Sequence, residues 1–86
     1  MAMDKKGLTK LVEECGELIQ ACAKKMAYME GSHPDGTDID SRIEEEMADV
    51  LSAIGFVVDS LALDTSVIQS RLDRKAKLFR EWDKLP

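Results

Sequence analysis

Leu8-Thr-Lys-Leu-Val-Glu-Glu-Cys-Gly-Glu-Leu-Ile-Gln-Ala-Cys-Ala-Lys-Lys-Met26 decides the fold. Its apolar residues Leu8, Leu11, Val12, Cys15, Leu18, Ile19, Cys22 and Met26 recur at intervals of three, four and seven, which is helical spacing. The pattern predicts an amphipathic helix from about Asp4 to Met29, with Cys15 at the centre of its apolar stripe and Met26 and Met29, like Met47 further on, as core filler. Gly16 in its middle costs about 1 kcal/mol relative to alanine, which suggests a close helix contact there.

Working outward, Glu30-Gly-Ser-His-Pro-Asp-Gly-Thr37 reads as a polar loop. Its His33 is the chain's one histidine and reads as a loop residue. Asp38 or Asp40 can cap a second helix that reaches about Leu61. Ile43, Met47, Val50, Leu51, Ile54, Val57, Val58 and Leu61 lie on one side of it, and Ala53 and Phe56 carry apolar character round the back. A helix apolar on more than one side is central or shared with another subunit. Asp64-Thr-Ser66 offers cap chemistry for a third helix from about Ser66 to Lys84. Strand-period alternation is missing. The expectation is a single all-α domain over 1–86: a helical hairpin plus a third helix, forming a protomer of an oligomeric helical bundle.

Composition narrows the function. A chain of 86 residues buries only roughly 60–65% of its unfolded surface and often needs a partner subunit. Twelve Lys+Arg against 17 Asp+Glu give a net charge of -5, which argues against a nucleic-acid partner. The longest apolar-rich run, Val50 to Ala62, is broken by Ser52, Gly55, Asp59 and Ser60 and is shorter than the roughly 20 residues a bilayer requires. Met1 to Lys10 is charged from Asp4 onward, so no secretory leader is expected. Cys15 and Cys22 would stand about 10.5 Å apart along one helix, too far for a disulfide. Two free thiols suit the cytoplasm.

The chemistry lies in two acidic pairs. Glu14 and Glu17 share a face of the first helix, and Glu46 and Asp49 share a face of the second. Relative to Cys15 and Met47 as stripe centres, the first member of each pair sits at roughly -100° and the second at roughly -160°. In an antiparallel hairpin, equal offsets project to the same side, so four carboxylates converge on one edge. An all-oxygen set of that kind suits Mg²⁺, with Mn²⁺ as a substitute, rather than zinc. The alternative is a solvated acidic face on a non-enzymatic helical interaction module. In the third helix, Arg71 and Lys75 fall inside the stripe of Ile68, Leu72, Phe79 and Trp82. They either snorkel to water or pair with the carboxylates and an anionic substrate.

Glu14-Cys-Gly-Glu17, a polar loop, and Glu46-Met-Ala-Asp49 together resemble the ExxE…ExxD signature of the MazG-like all-α nucleoside triphosphate pyrophosphohydrolases. The likeness runs from about Leu8 to Trp82 and includes the basic third helix. Ala48 stands where many members have glycine. The resemblance implies hydrolysis of a nucleoside or deoxynucleoside triphosphate to the monophosphate and pyrophosphate. It implies Mg²⁺ held by Glu14, Glu17, Glu46 and Asp49, and phosphates met by Lys75 and Arg71. It further implies a homodimer or homotetramer whose sites draw on more than one subunit. Glu17 is the candidate general base that orients water. A relative acting on phosphoribosyl-ATP is a second alternative. Its N-terminal Ser-Tyr segment is not seen here, and position 53 onward reads Ala-Ile-Gly-Phe where its histidine would follow the second acidic motif.

Overall fold

A computed structural model describes residues 7–28, 36 and 38–84. They form three helices, α1 (Leu8–Tyr28), α2 (Ile39–Leu61) and α3 (Thr65–Asp83), so the all-α expectation holds. His33 and Met29 lie outside the described residues.

Local chemistry sets the helix ends. Asp38, rather than Asp40, caps α2, and its carboxylate accepts from Ser41 N (3.3 Å) and Ser41 Oγ (3.1 Å). Asp64 caps α3, accepting from Ser66 N at 2.9 Å and Val67 N at 3.4 Å. These bonds to the ionised form hold both carboxyls below their ordinary pKa. Between the two helices the chain turns through Ala62, which adopts the left-handed conformation at φ 52°. Leu63 N donates back to Val58 O at 3.0 Å and closes the end of α2.

α1 and α2 pack as an antiparallel hairpin. Lys25 near the end of α1 pairs with Asp40 at the start of α2 (2.9 Å). At the other end, Gly7 lies under Phe56 and Val57. A Cβ on Gly7 would overlap the Phe56 ring, and its φ of +82° suits glycine on its own account.

The seam between the helices differs from the expected one. Its α1 row is Leu11, Glu14, Leu18, Ala21 and Lys25, and its α2 row is Ile39, Ile43, Glu46, Val50, Ala53 and Val57, all buried or half-buried. Relative to stripes centred on Cys15 and Met47, each helix is turned by about one residue step, roughly 100°. Ala53, expected on the far side of α2, is buried in the seam. Periodicity alone does not say which of two adjacent apolar rows meets the neighbouring helix. Here the rows carrying Ala21 and Ala53 meet, and small residues let helix axes approach. The other rows, Val12, Ile19 and Met26 on α1 and Met47, Leu51 and Ile54 on α2, are exposed. Met26 and Met47 are therefore not filler of a core within the chain. Nor does Gly16 mark a contact, because a Cβ there would meet nothing within 4 Å.

α3 leaves the hairpin and buries none of its residues. Ile68, Leu72, Phe79 and Trp82 all face outward, with Trp82 at 74% exposure. Arg71 and Lys75 are exposed with them, not enclosed in a stripe. The radius of gyration is 16.0 Å, against about 12 Å for a packed chain of this length. Among the described residues, no helix is long and apolar enough to cross a membrane.

Ala62→Gly should stabilise the fold, because it removes a Cβ from a left-handed position that costs an L-residue roughly 1 kcal/mol. Thermal unfolding followed by circular dichroism should show a Tm higher by a few degrees.

Candidate metal centre

Turning the seam toward the acidic pairs places two carboxylates inside it. Glu14 is 8% exposed and Glu46 3% exposed, directly between the helices. Glu17, one turn beyond Glu14, is half-buried beside them. One carboxylate oxygen from each of Glu14, Glu17 and Glu46 lies within 4.8 Å of the others. Convergence is thus observed for three of the four expected residues, in the seam itself and not along an outer edge.

Asp49 is exposed and stands outside that trio. It lines a neighbouring cleft of about 500 Å³ with Lys10, Glu14, Ser52, Ala53 and Phe56. Glu14 thus belongs to both the trio and the cleft. The structure does not bring Arg71 and Lys75 to the carboxylates of their own chain. Arg71 lines a separate surface hollow with Ser66, Val67, Ser70 and Arg74.

Two basic residues that the sequence reading passed over reach the cluster. Arg42 Nη2 lies 3.0 Å from Glu46 Oε1 and 3.8 Å from Glu17 Oε2. Lys10 Nζ lies 3.0 Å from Glu13 and 3.5 Å from Glu14. Both have a signal in the sequence, since Lys10 and Arg42 each stand four residues before a seam glutamate, one helical turn away.

The electrostatics remain unbalanced. Burial is the main reason that the Glu46 carboxyl is pushed above its ordinary pKa. Arg42 pulls the other way, and the charges of Glu17, Asp49 and Glu14 add to the rise. Glu46 Oε2 is buried with no hydrogen-bond partner among the described residues. A buried anionic oxygen without a donor is costly and calls for a cation. The donors are all carboxylate oxygens, which fits a hard divalent ion.

A family comparison now bears on this geometry. The model of the MazG nucleotide pyrophosphohydrolase domain matches residues 4–76. The chain belongs to the MazG family. The matched span contains both acidic pairs and reaches Lys75 in α3. Nucleotide pyrophosphohydrolase activity in general comes with that membership. Neither a curated protein nor a solved structure matches the chain.

The raised pKa of Glu46 fixes the sign of a pH effect in the metal-free chain. Glu46 contributes stability that is complete below its ordinary value of 4.5 and is lost as pH rises through the raised one. Glu46→Gln should flatten this dependence and raise the Tm of the metal-free protein at neutral pH. Saturating Mg²⁺ or Mn²⁺ should raise the Tm of the native chain and leave that of Glu46→Gln nearly unmoved. Differential scanning calorimetry across pH, with and without the ion, checks both.

Proposed function

We propose that this MazG-family chain hydrolyses nucleoside or deoxynucleoside triphosphates to the monophosphate and pyrophosphate, with Mg²⁺ held by Glu14, Glu17 and Glu46 and joined by Asp49. The observation that carries this reading is the seam trio with Glu46 Oε2 buried and without a hydrogen-bond partner among the described residues, three carboxylates that Arg42 and Lys10 offset only in part. Mn²⁺ would substitute, having the same preference for oxygen. When bound, such an ion supplies Lewis acidity toward phosphate oxygens and acidifies a bound water.

The chain's own residues divide the remaining work. Glu14 and Glu46 are fixed by burial between two helices and serve as rigid anchors. Glu17 is less buried, so it has room to accept a proton from water and orient that water toward the α-phosphorus. The cleft beside Asp49 offers an apolar wall of Ala53 and Phe56 for the nucleoside, placing the phosphates beside Glu14. Lys75 and Arg71 meet the outer phosphates. Since α3 stands away from the carboxylates of its own chain, these two residues act on the site of a second subunit.

The same reading includes assembly as a homodimer or homotetramer. The outward rows of α1 and α2 and the apolar side of α3 together form more exposed large aliphatic and aromatic surface than a stable monomer carries. A second copy covers them.

Incubating the purified chain with Mg²⁺ and a panel of NTPs and dNTPs should release monophosphate and pyrophosphate. Glu46→Gln or Asp49→Asn should cut turnover roughly a hundredfold while helicity survives. Activity untouched by both changes would remove the carboxylates from the site. Failure to turn over any triphosphate would favour a helical interaction module.

Lys75→Ala tests the role of α3. It should lower kcat/KM about tenfold, as expected for the loss of one charge-assisted phosphate contact, with metal affinity unchanged. Mixing Lys75→Ala with Glu46→Gln should restore part of the activity if the two residues serve one site from different subunits.

A further inference from the structure

Arg42 holds an unusual place beside the acidic trio. Its guanidinium lies 3.0 Å from Glu46 Oε1 and 3.8 Å from Glu17 Oε2, so it bridges two members of the trio. Its own side chain is half-exposed, whereas Glu46 is sealed in the seam. The mobile partner of this ion pair is therefore the cation. Glu46 Oε2 has no hydrogen-bond partner among the described residues, so Arg42, on Oε1, compensates only half of the buried carboxylate. Lys10 flanks the cluster from the Glu14 side and reaches neither Glu17 nor Glu46.

We propose that Arg42 is a place-holding cation: it occupies the carboxylates of Glu46 and Glu17 in the absence of the divalent ion and is displaced from them when the ion is bound. The proposal rests on the metal-dependent reading above and adds a positioning residue to it. Three carboxylates within 4.8 Å repel one another, and without a counter-charge they would tend to splay apart. Arg42 holds Glu46 and Glu17 together until an ion arrives. A carboxylate oxygen committed to a guanidinium cannot at full strength also serve an ion, so Arg42 lowers metal affinity while it preserves the shape of the site. Its half-exposed side chain leaves it free to move into solvent or toward an anionic substrate.

The test measures metal binding with no nucleotide present. Mn²⁺ affinity of the full-length native chain, Arg42→Met and Arg42→Lys is read by isothermal titration and by electron paramagnetic resonance of free Mn²⁺. Thermal stability is read with and without the ion. Arg42→Met should bind Mn²⁺ roughly tenfold tighter, the equivalent of one charged hydrogen bond released. It should unfold at a lower temperature than the native chain without metal, and at an equal temperature when saturated. Arg42→Lys keeps the charge but carries it on a compact, more strongly hydrated ammonium that holds a carboxylate less firmly, so it should fall between the two. Equal or weaker Mn²⁺ binding by Arg42→Met would overturn the proposal. So would an equal loss of Tm in both states, because a fixed structural ion pair behaves that way. If Arg42→Met fails to fold, Arg42→Lys decides alone: tighter binding than native supports displacement, and unchanged or weaker binding rejects it. Absence of Mn²⁺ binding by the native chain would sink this proposal together with the metal-dependent reading, whereas native binding unaffected by Arg42 would sink this one alone.

Discussion

Two glutamates face each other across the seam of α1 and α2, in rows of Leu, Ile, Val and Ala that end, on α1, at Lys25. Apolar side chains of similar size at 14 and 46 would pack the hairpin with less penalty. The hairpin must instead be held by what surrounds them. Lys25 and Asp40 clamp one end, Gly7 and the Phe56 ring close the other, and Ala21, Ile39, Ala53 and Val57 fill the space between. This register sets the carboxylates opposite each other, so every element of the hairpin bears on the geometry of the cluster.

A core of this size has consequences for the rest of the chain. With four well-buried aliphatic residues and two buried carboxylates among the described residues, the hairpin alone has little burial to oppose its conformational entropy. α3 does not add to it, since none of its residues is buried. What the single chain leaves unburied is organised: Val12, Ile19 and Met26 repeat at seven, and α3 carries a similar ridge. Such ridges are complete faces that lack a neighbour. Oligomer formation and completion of the site by Arg71 and Lys75 would then be one event.

The helices, their caps and the shared faces of Glu14 with Glu17 and of Glu46 with Asp49 were legible because each depends on local spacing. Asp38 and Asp64 stand where a side-chain oxygen reaches free backbone N–H groups, and that requires only three or four residues of sequence. The rotation of the seam was not legible. On α1, Leu11 and Leu18 belong to one row and Cys15, Ile19 and Met26 to another, and both rows satisfy helical periodicity. Choosing between them depends on how closely two backbones approach, a property of both helices together. The same error hid Arg42. With Glu46 placed on an outer edge, an ion pair to it contributes little, and nothing drew Arg42 into the reading. Once Glu46 is in the seam, the pair gains meaning. Asp49 was legible as an acid near the site, but its exposed position on the cleft side depends on the same rotation.

Placing the carboxylates in the seam, and not on an edge, changes what binding can do. Carboxylates on an exposed edge keep their water and move freely, so an ion there would hold them loosely and affect the fold little. In the seam, Glu14 comes from α1 and Glu46 from α2, and neither helix can shift without separating the donors. Affinity for a divalent ion and closure of the hairpin then draw on the same free energy. On the proposed reading, the fold is incomplete without the ion. The unpartnered oxygen of Glu46 is the point at which that incompleteness can be seen.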